Sequence, residues 1–229
     1  MRKLHLQGVV FDVDGVLFDT ERLSQRVWAE VSQTFHCPQA AEHFLEFIGR
    51  SRRDDMAHIL ELLGPDFPVE AFFQACSQRT QAHIEEEGVP LKPGVFEILT
   101  FLTQRRLPMA LATSTYLERT RRRLELAGLG PFFQAVVTGD QVKCGKPDPE
   151  IYLTACGRLG LDPARTLAVE DSANGIRSAH AAGMQVVMIP DLIPPSPELE
   201  QLLFRRFDSL LELRDYLNAA LDPGPECCL

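Results

Sequence analysis

The stretch VVFDVDGVLFDTE, residues 9–21, sets three carboxylates, Asp12, Asp14 and Asp19, directly after a β-branched and aromatic run. Asp12 and Asp14 are separated by a single valine. Like charges that close repel and are costly to desolvate, so a cation, a proton or open water must compensate. Other apolar runs end in groups suited to that task. PMALATS ends in Thr113 and Ser114, with Thr115 next, and TLAVED ends in Glu170 and Asp171. Between them, KCGKPDPE supplies Lys143 and Lys146. Hard oxygen ligands beside a lysine predict Mg²⁺ and a phosphate.

Taken singly, each piece has an ordinary alternative. DxDG occurs in turns as well as in metal loops, and DVDGVLFDTE lacks the spaced carboxylates of an EF-hand. Thr113-Ser114 alone reads as a hydroxyl-stabilised turn, and Lys146 before Pro147 as surface. VEDS reads equally as a helix start, with acids favoured by the dipole and Ser172 as cap. Their common position favours chemistry. Each lies where a strand ends, and ligands of open parallel sheets gather beyond the carboxyl ends of strands.

The strands that must hold these groups are GVVFDVD (8–14), PMALATS (108–114), QAVVTGD (134–140), TLAVED (166–171) and MQVVMIP (184–190). They are nearly continuous apolar runs, as in parallel sheets covered on both faces. Between most of them lie helical patterns: PGVFEILTFLTQRR, YLERTRRRLELAG, DPEIYLTACGRLG and SANGIRSAHAAG, three of which end at glycine. Strand and helix in alternation predict an α/β fold with a doubly wound parallel sheet. From Thr20 to Gly88 the alternation stops and only amphipathic helical stretches remain, such as ERLSQRVWAEVSQTF, AEHFLEFIG, RDDMAHILELLG and PVEAFFQACSQRTQAHIEEEG. The expected organisation is an α/β core from residues 1–19 and 90–229 with an all-helical insertion at 20–89. PDLIPPSPE (190–198) reads as a proline-rich loop.

The chain has 229 residues, 45% hydrophobic and 24% charged, enough for one sizeable core with a smaller insertion. Its net charge of −9 is the wrong sign for a non-specific nucleic-acid binder, and nothing in it demands more than a monomer. Six cysteines, Cys37, Cys76, Cys144, Cys156, Cys227 and Cys228, form no CxxC pair. No run is long enough for a bilayer span or a signal segment, and LHLQGVVFD is short and ends in charge. The expectation is a cytoplasmic protein with free thiols and no membrane partner. The terminal ECCL lacks the cysteine four from the end that prenylation requires and reads as a frayed tail.

In combination, DVDGVLFDTE, the threonine of ALATS, the lysine of GKPDP and VEDSANG match the four motifs of the haloacid dehalogenase superfamily. The chain resembles its phosphatase and phosphoglucomutase branch, with a helical cap inserted after the first motif. The match spans nearly the whole length, and DTERL, GKPDPEIYL and AAGMQVVMIPD are similar to the pseudouridine-5′-phosphatase and sugar-phosphatase members. The resemblance implies Asp12 as nucleophile, forming an aspartyl-phosphate that water hydrolyses. Asp14 would act as general acid and then base. Mg²⁺ would be held by the Asp12 carboxylate, the Asp14 carbonyl and Asp171, with Glu170 supporting. Thr113, Lys146 and the backbone amide of Ser114 would bind the transferred phosphoryl group. Ala173, Gly175 and Ala179 would let the helix after Asp171 approach the sheet closely. Dehalogenating members lack an acid at the position of Asp14, since halide needs no proton, so dehalogenation is disfavoured.

The insertion bears on substrate. Phosphoglucomutase relatives carry a histidine and a lysine where this chain has Ser24 and Ile48. Both departures favour water as final acceptor, hence a phosphatase acting on a small phosphomonoester: a sugar, polyol or nucleoside monophosphate. A phosphosugar mutase is the alternative, and a non-enzymatic scaffold is disfavoured by the intact motif residues. In the loop Gly49, Arg50, Ser51, Arg52 and Arg53, Arg52 stands at the family's substrate-contacting position and is expected to hold a second polar or anionic group, or else to start a solvated helix. Arg50 and Arg53 are read as surface.

Overall fold

Sheet order decides where ligands can bind in this architecture. The computed structural model describes residues 4–48 and 52–221, with Arg52 and Arg53 as backbone only. The strands are β1 (Gly8–Phe11), β2 (Met109–Thr113), β3 (Ala135–Thr138), β4 (Thr166–Glu170), β5 (Gln185–Met188) and β6 (Arg205–Arg206). All pair in parallel, in the order β3-β2-β1-β4-β5-β6. The fold is α/β, with a doubly wound parallel sheet. From β1 the chain winds outward to β2 and β3, then returns to β4 on the other side of β1. The winding direction therefore reverses between β1 and β4, and such a reversal opens a crevice at the carboxyl ends.

The central strands are buried throughout, which matches their unbroken apolar runs. Side chains alternate across the sheet. Val10, Ala110, Ala112, Ala168 and Val186 meet Ile151, Tyr152 and Ala155 of α7 (Glu150–Leu159) and Ile176 and Ala179 of α8 (Ala173–Ala181). Helices α5 (Val95–Gln104) and α10 (Leu210–Ala220) pack on each other, and α6 (Leu117–Ala127) follows β2.

The five expected strands are present but shorter. β1 stops at Phe11 because Asp12 begins a tight turn in which Leu17 and Phe18 both donate to the Val13 carbonyl. Two features at the far edge depart from the sequence pattern. β6 is two exposed arginines, which carry no apolar signal. Within the expected loop 190–198, Pro197 opens a short helix, α9 (Pro197–Glu200), because the Ser196 hydroxyl accepts the Leu199 amide as a cap.

The chain divides into two compact units, with the boundaries between Phe18 and Asp19 and between Pro90 and Leu91. These lie one residue outside the insertion limits read from the sequence. The second unit holds α1 (Thr20–Thr34), α2 (Pro38–Glu42), a 3₁₀ turn (Phe44–Phe47), α3 (Arg52–Leu63) and α4 (Val69–Glu87). AEHFLEFIG, expected as one helical stretch, is instead split: α2 ends at Glu42 and the 3₁₀ turn follows. The buried face of α1 includes Leu23, Val27, Trp28 and Val31, a helical spacing. Trp28 is the centre of this unit's core, with the rings of Phe44, Phe47, Phe72 and Phe73 at 4.8–5.7 Å between centroids. Asp19 accepts from Arg22 at 2.7 Å and donates its amide to Pro90.

Candidate active site

Register brings the chemistry-bearing residues together. Phe11 is level with Val169 on β4 and Leu111 on β2, so Asp12, one step on, lies beside Glu170 and one step short of Thr113. The Asp12 amide continues the ladder by donating to the Val169 carbonyl at 2.9 Å. Lys146 enters from the segment before α7, after which the Lys146–Pro147 peptide is cis. Its Nζ donates to Asp12 Oδ1 at 2.5 Å and to Glu170 Oε1 at 2.6 Å. Asp12 is 7% exposed and Glu170 fully buried. Charges taken this far out of water are retained only when paired and hydrogen-bonded.

Glu170 is the hub. Besides Lys146 it accepts the Tyr152 hydroxyl at 2.6 Å, the amides of Asp171 and Ser172, and the Ser172 hydroxyl at 3.0 Å. Ser172 also caps α8 by accepting the Gly175 amide, so the capping role of VEDS and its place in the site coexist. A Cβ on Gly175 would fall 1.7 Å from Glu170 Oε1. The glycine expected to bring a helix close to the sheet therefore makes room for a carboxylate. Gly15, at φ +80°, does the same for Asp171, whose Oδ2 would lie 2.0 Å from a Cβ there.

Burial pushes the Asp12 carboxyl up to about 8, against the pull of Lys146, with Glu170 and Asp14 adding to the rise. Burial opposes the charge on Lys146, but Asp12 and Glu170 outweigh it and hold its pKa up. Burial, then Glu170, raises the Tyr152 hydroxyl well above its ordinary value, which keeps it a donor.

Asp12, Glu170 and Asp171 each offer an oxygen, all within 4.8 Å of one another. Three hard carboxyl oxygens brought this close form a donor set that could hold a divalent cation. Glu170 is already engaged by five donors, which leaves Asp12 and Asp171 as carboxylates that could ligate a metal.

The other expected residues sort as follows. Thr113 is buried, and its Oγ1 accepts the Thr115 amide at 3.1 Å. Ser114 is exposed beyond the β2 end, and its carbonyl packs so closely on Gly139 that a Cβ there would meet it at 2.5 Å. The Asp14 side chain turns to Thr115 Oγ1 and Arg123 Nη1, both at 2.7 Å. Lys143 is exposed and donates its amide to Glu150. The side chains of Arg52 and Arg53, and residues Gly49, Arg50 and Ser51, lie outside the described residues, as does the ECCL tail.

Two participants escaped the sequence reading. Tyr152 looks like ordinary core in PEIYL. Arg123 looks like part of a solvated basic run in ERTRRRLE, although its spacing from Thr120 and Leu124 put it on their buried face.

Residues 9–189 match the family model of haloacid dehalogenase-like hydrolases, and the chain belongs to that family. Among its relatives is the phosphorylated carbohydrates phosphatase of Thermotoga maritima, 34% identical over 180 residues, covering 79% of this chain and 83% of that protein. Hexitol phosphatase A of Escherichia coli is 33% identical over 190 residues, covering 81% and 84%. A solved structure of CbbY from Rhodobacter sphaeroides in complex with xylulose-1,5-bisphosphate is 26% identical with a TM-score of 0.72, covering 91% of this chain and 96% of that one.

Proposed function

We propose that this protein is a Mg²⁺-dependent phosphatase that hydrolyses a small phosphomonoester through an aspartyl-phosphate on Asp12. The observation that carries the reading is the buried contact of Asp12 with Lys146 and Glu170 at the winding reversal of the sheet, beside Thr113 and Asp171. Relatives named as phosphatases of phosphorylated carbohydrates and hexitols support a phosphoric monoester hydrolase and favour sugar or polyol esters, with nucleoside monophosphates as the further class.

In this reading an Asp12 oxygen attacks phosphorus as the ester P–O bond breaks, and Asp14 protonates the departing alkoxide. Water then attacks the same phosphorus, Asp14 takes its proton, and the phosphorus–Asp12 bond breaks to release phosphate. Lys146, Thr113 and the Ser114 amide hold the phosphoryl oxygens, so the charge they carry is met by fixed donors. Mg²⁺ would be held by the carboxylates of Asp12 and Asp171 and the main-chain carbonyl of Asp14, where it supplies charge neutralisation and alignment. The helical unit serves as a cap, with Arg52 contacting the remainder of the substrate. Free thiols at Cys37, Cys76, Cys144 and Cys156 suit a cytoplasmic location, and the protein acts as a monomer.

The test is phosphate release over a panel of phosphomonoesters with and without Mg²⁺. Turnover should require the metal. Asp12→Asn should abolish it while leaving the circular dichroism spectrum unchanged; hydrolysis retained in that variant rules out the covalent route. Incubation with β-glucose 1-phosphate should yield free phosphate, and an isomerised ester would identify a mutase instead.

A further inference from the structure

Arg123 is a buried charge to which the proposed reaction assigns no role. Its neighbours Arg119, Arg121 and Arg122 are exposed, whereas its own side chain is 8% exposed among Thr120 and Leu124 on the buried face of α6. A position needed only for packing would favour an aliphatic side chain, because burying a guanidinium costs desolvation that a hydrocarbon avoids. Its Nε is buried with no hydrogen-bond partner among the described residues, so the group is not there to satisfy itself. What it meets is Asp14: Nη1 donates to Oδ1 at 2.7 Å.

The second Asp14 oxygen is held from the other side. Thr115 Oγ1 donates to Oδ2 at 2.7 Å, and the Thr115 amide donates to Thr113 Oγ1 at 3.1 Å. The Asp14 carboxylate is thereby tied to the end of β2, the strand that carries Thr113. The start of α6 is anchored as well, since Asp140 accepts the Leu117 amide at 3.1 Å. Two directional donors, one charged, restrain this side chain, and a planar guanidinium fixes direction better than an ammonium.

We propose that Arg123 and Thr115 are positioning residues that hold the Asp14 carboxyl group in place as it gives its proton to the leaving oxygen and becomes the carboxylate they pair with. The proposal rests on Asp14 being the general acid. It concerns placement, so its signature is dependence on the leaving group. An alkoxide needs a proton to depart; nitrophenolate does not. Misplacing an acid by an ångström costs an order of magnitude or more in a proton-dependent step.

Single-turnover release of alcohol from glycerol phosphate, and of nitrophenolate from para-nitrophenyl phosphate, isolates the first chemical step. Arg123→Met should slow alcohol release about tenfold or more, and nitrophenolate release by less than about threefold. Arg123→Lys should recover part of the alkyl rate. Thr115→Val, a near-isosteric change outside the helix, should show the same selectivity and covers the case in which Arg123→Met does not fold. Equal losses on both esters, or none, in folded variants overturn the proposal. Asp14→Asn separates the two levels. If it discriminates between the esters and the Arg123 and Thr115 variants do not, only the positioning role falls. If Asp14→Asn does not discriminate, the reading of Asp14 falls and the positioning role with it.

Discussion

Gly175 shows how narrowly single residues are constrained at this site. A methyl group there would sit within 2.2 Å of Oε1, Cδ and Oε2 of Glu170, and that carboxylate cannot retreat because Lys146, Tyr152 and Ser172 hold it. Gly175→Ala should therefore destabilise the fold by about 1–3 kcal/mol, the usual cost of overpacking. It should also lower turnover, because the Glu170 shift moves Lys146 away from Asp12. Denaturation midpoints and phosphate release read the two effects; a variant with wild-type values for both would show that Glu170 relaxes freely. Tyr152 and Arg123 belong to the same scale. Their residue types are visible in the chain, but the carboxylates they serve, Glu170 and Asp14, are 18 and 109 positions away.

Among the elements, the segment from Lys143 to α7 has to present Lys146 without a strand or helix of its own. Glu150, in the first turn of α7, accepts the amides of Lys143 at 3.0 Å and Cys144 at 2.9 Å. Those bonds, Lys143 first, hold its carboxyl below the ordinary value of 4.5. Folding thus favours the ionised form. The contribution is complete above about pH 4.5 and is lost as pH falls through the lower folded value. The amide proton shifts of Lys143 and Cys144 should titrate together with a midpoint below 4.5, and Glu150→Gln should remove the transition. Independent midpoints for the two amides would rule out a shared carboxylate. The register of β1 against β2 and β4 is the other element-scale determinant, because a one-residue slip would turn Asp12 to the opposite face.

At the scale of the whole molecule, the chain's single tryptophan gives a selective reporter. Trp28 lies in the helical unit, whereas Tyr116, Tyr152 and Tyr216 lie in the α/β unit. Two units with separate cores need not unfold together. Tryptophan fluorescence should therefore report the helical unit in urea, while near-ultraviolet signals of tyrosine report the α/β unit. Val10→Ala, which trims a fully buried residue of β1, should shift the tyrosine transition and leave the Trp28 midpoint in place. Coincident shifts of both probes would show a single cooperative unit.

The sequence by itself determined the α/β class and the five apolar strands, and it marked Asp12, Asp14, Thr113, Lys146 and Asp171 as the candidate site residues. Those features are local: an apolar run bounded by turn residues makes a buried strand wherever it is placed, and the chemistry follows at its end. Only the tertiary structure decided which carboxylate Arg123 of ERTRRRLE meets, which tyrosine reaches Glu170, and why residue 175 has no side chain. Each depends on how α6, α7 and α8 lie against the carboxyl ends of β1, β2 and β4, and spacing along one helix does not encode what another element presents to it. β6 was illegible for a related reason. Two arginines form a strand there because the edge of β5 leaves backbone groups to be paired.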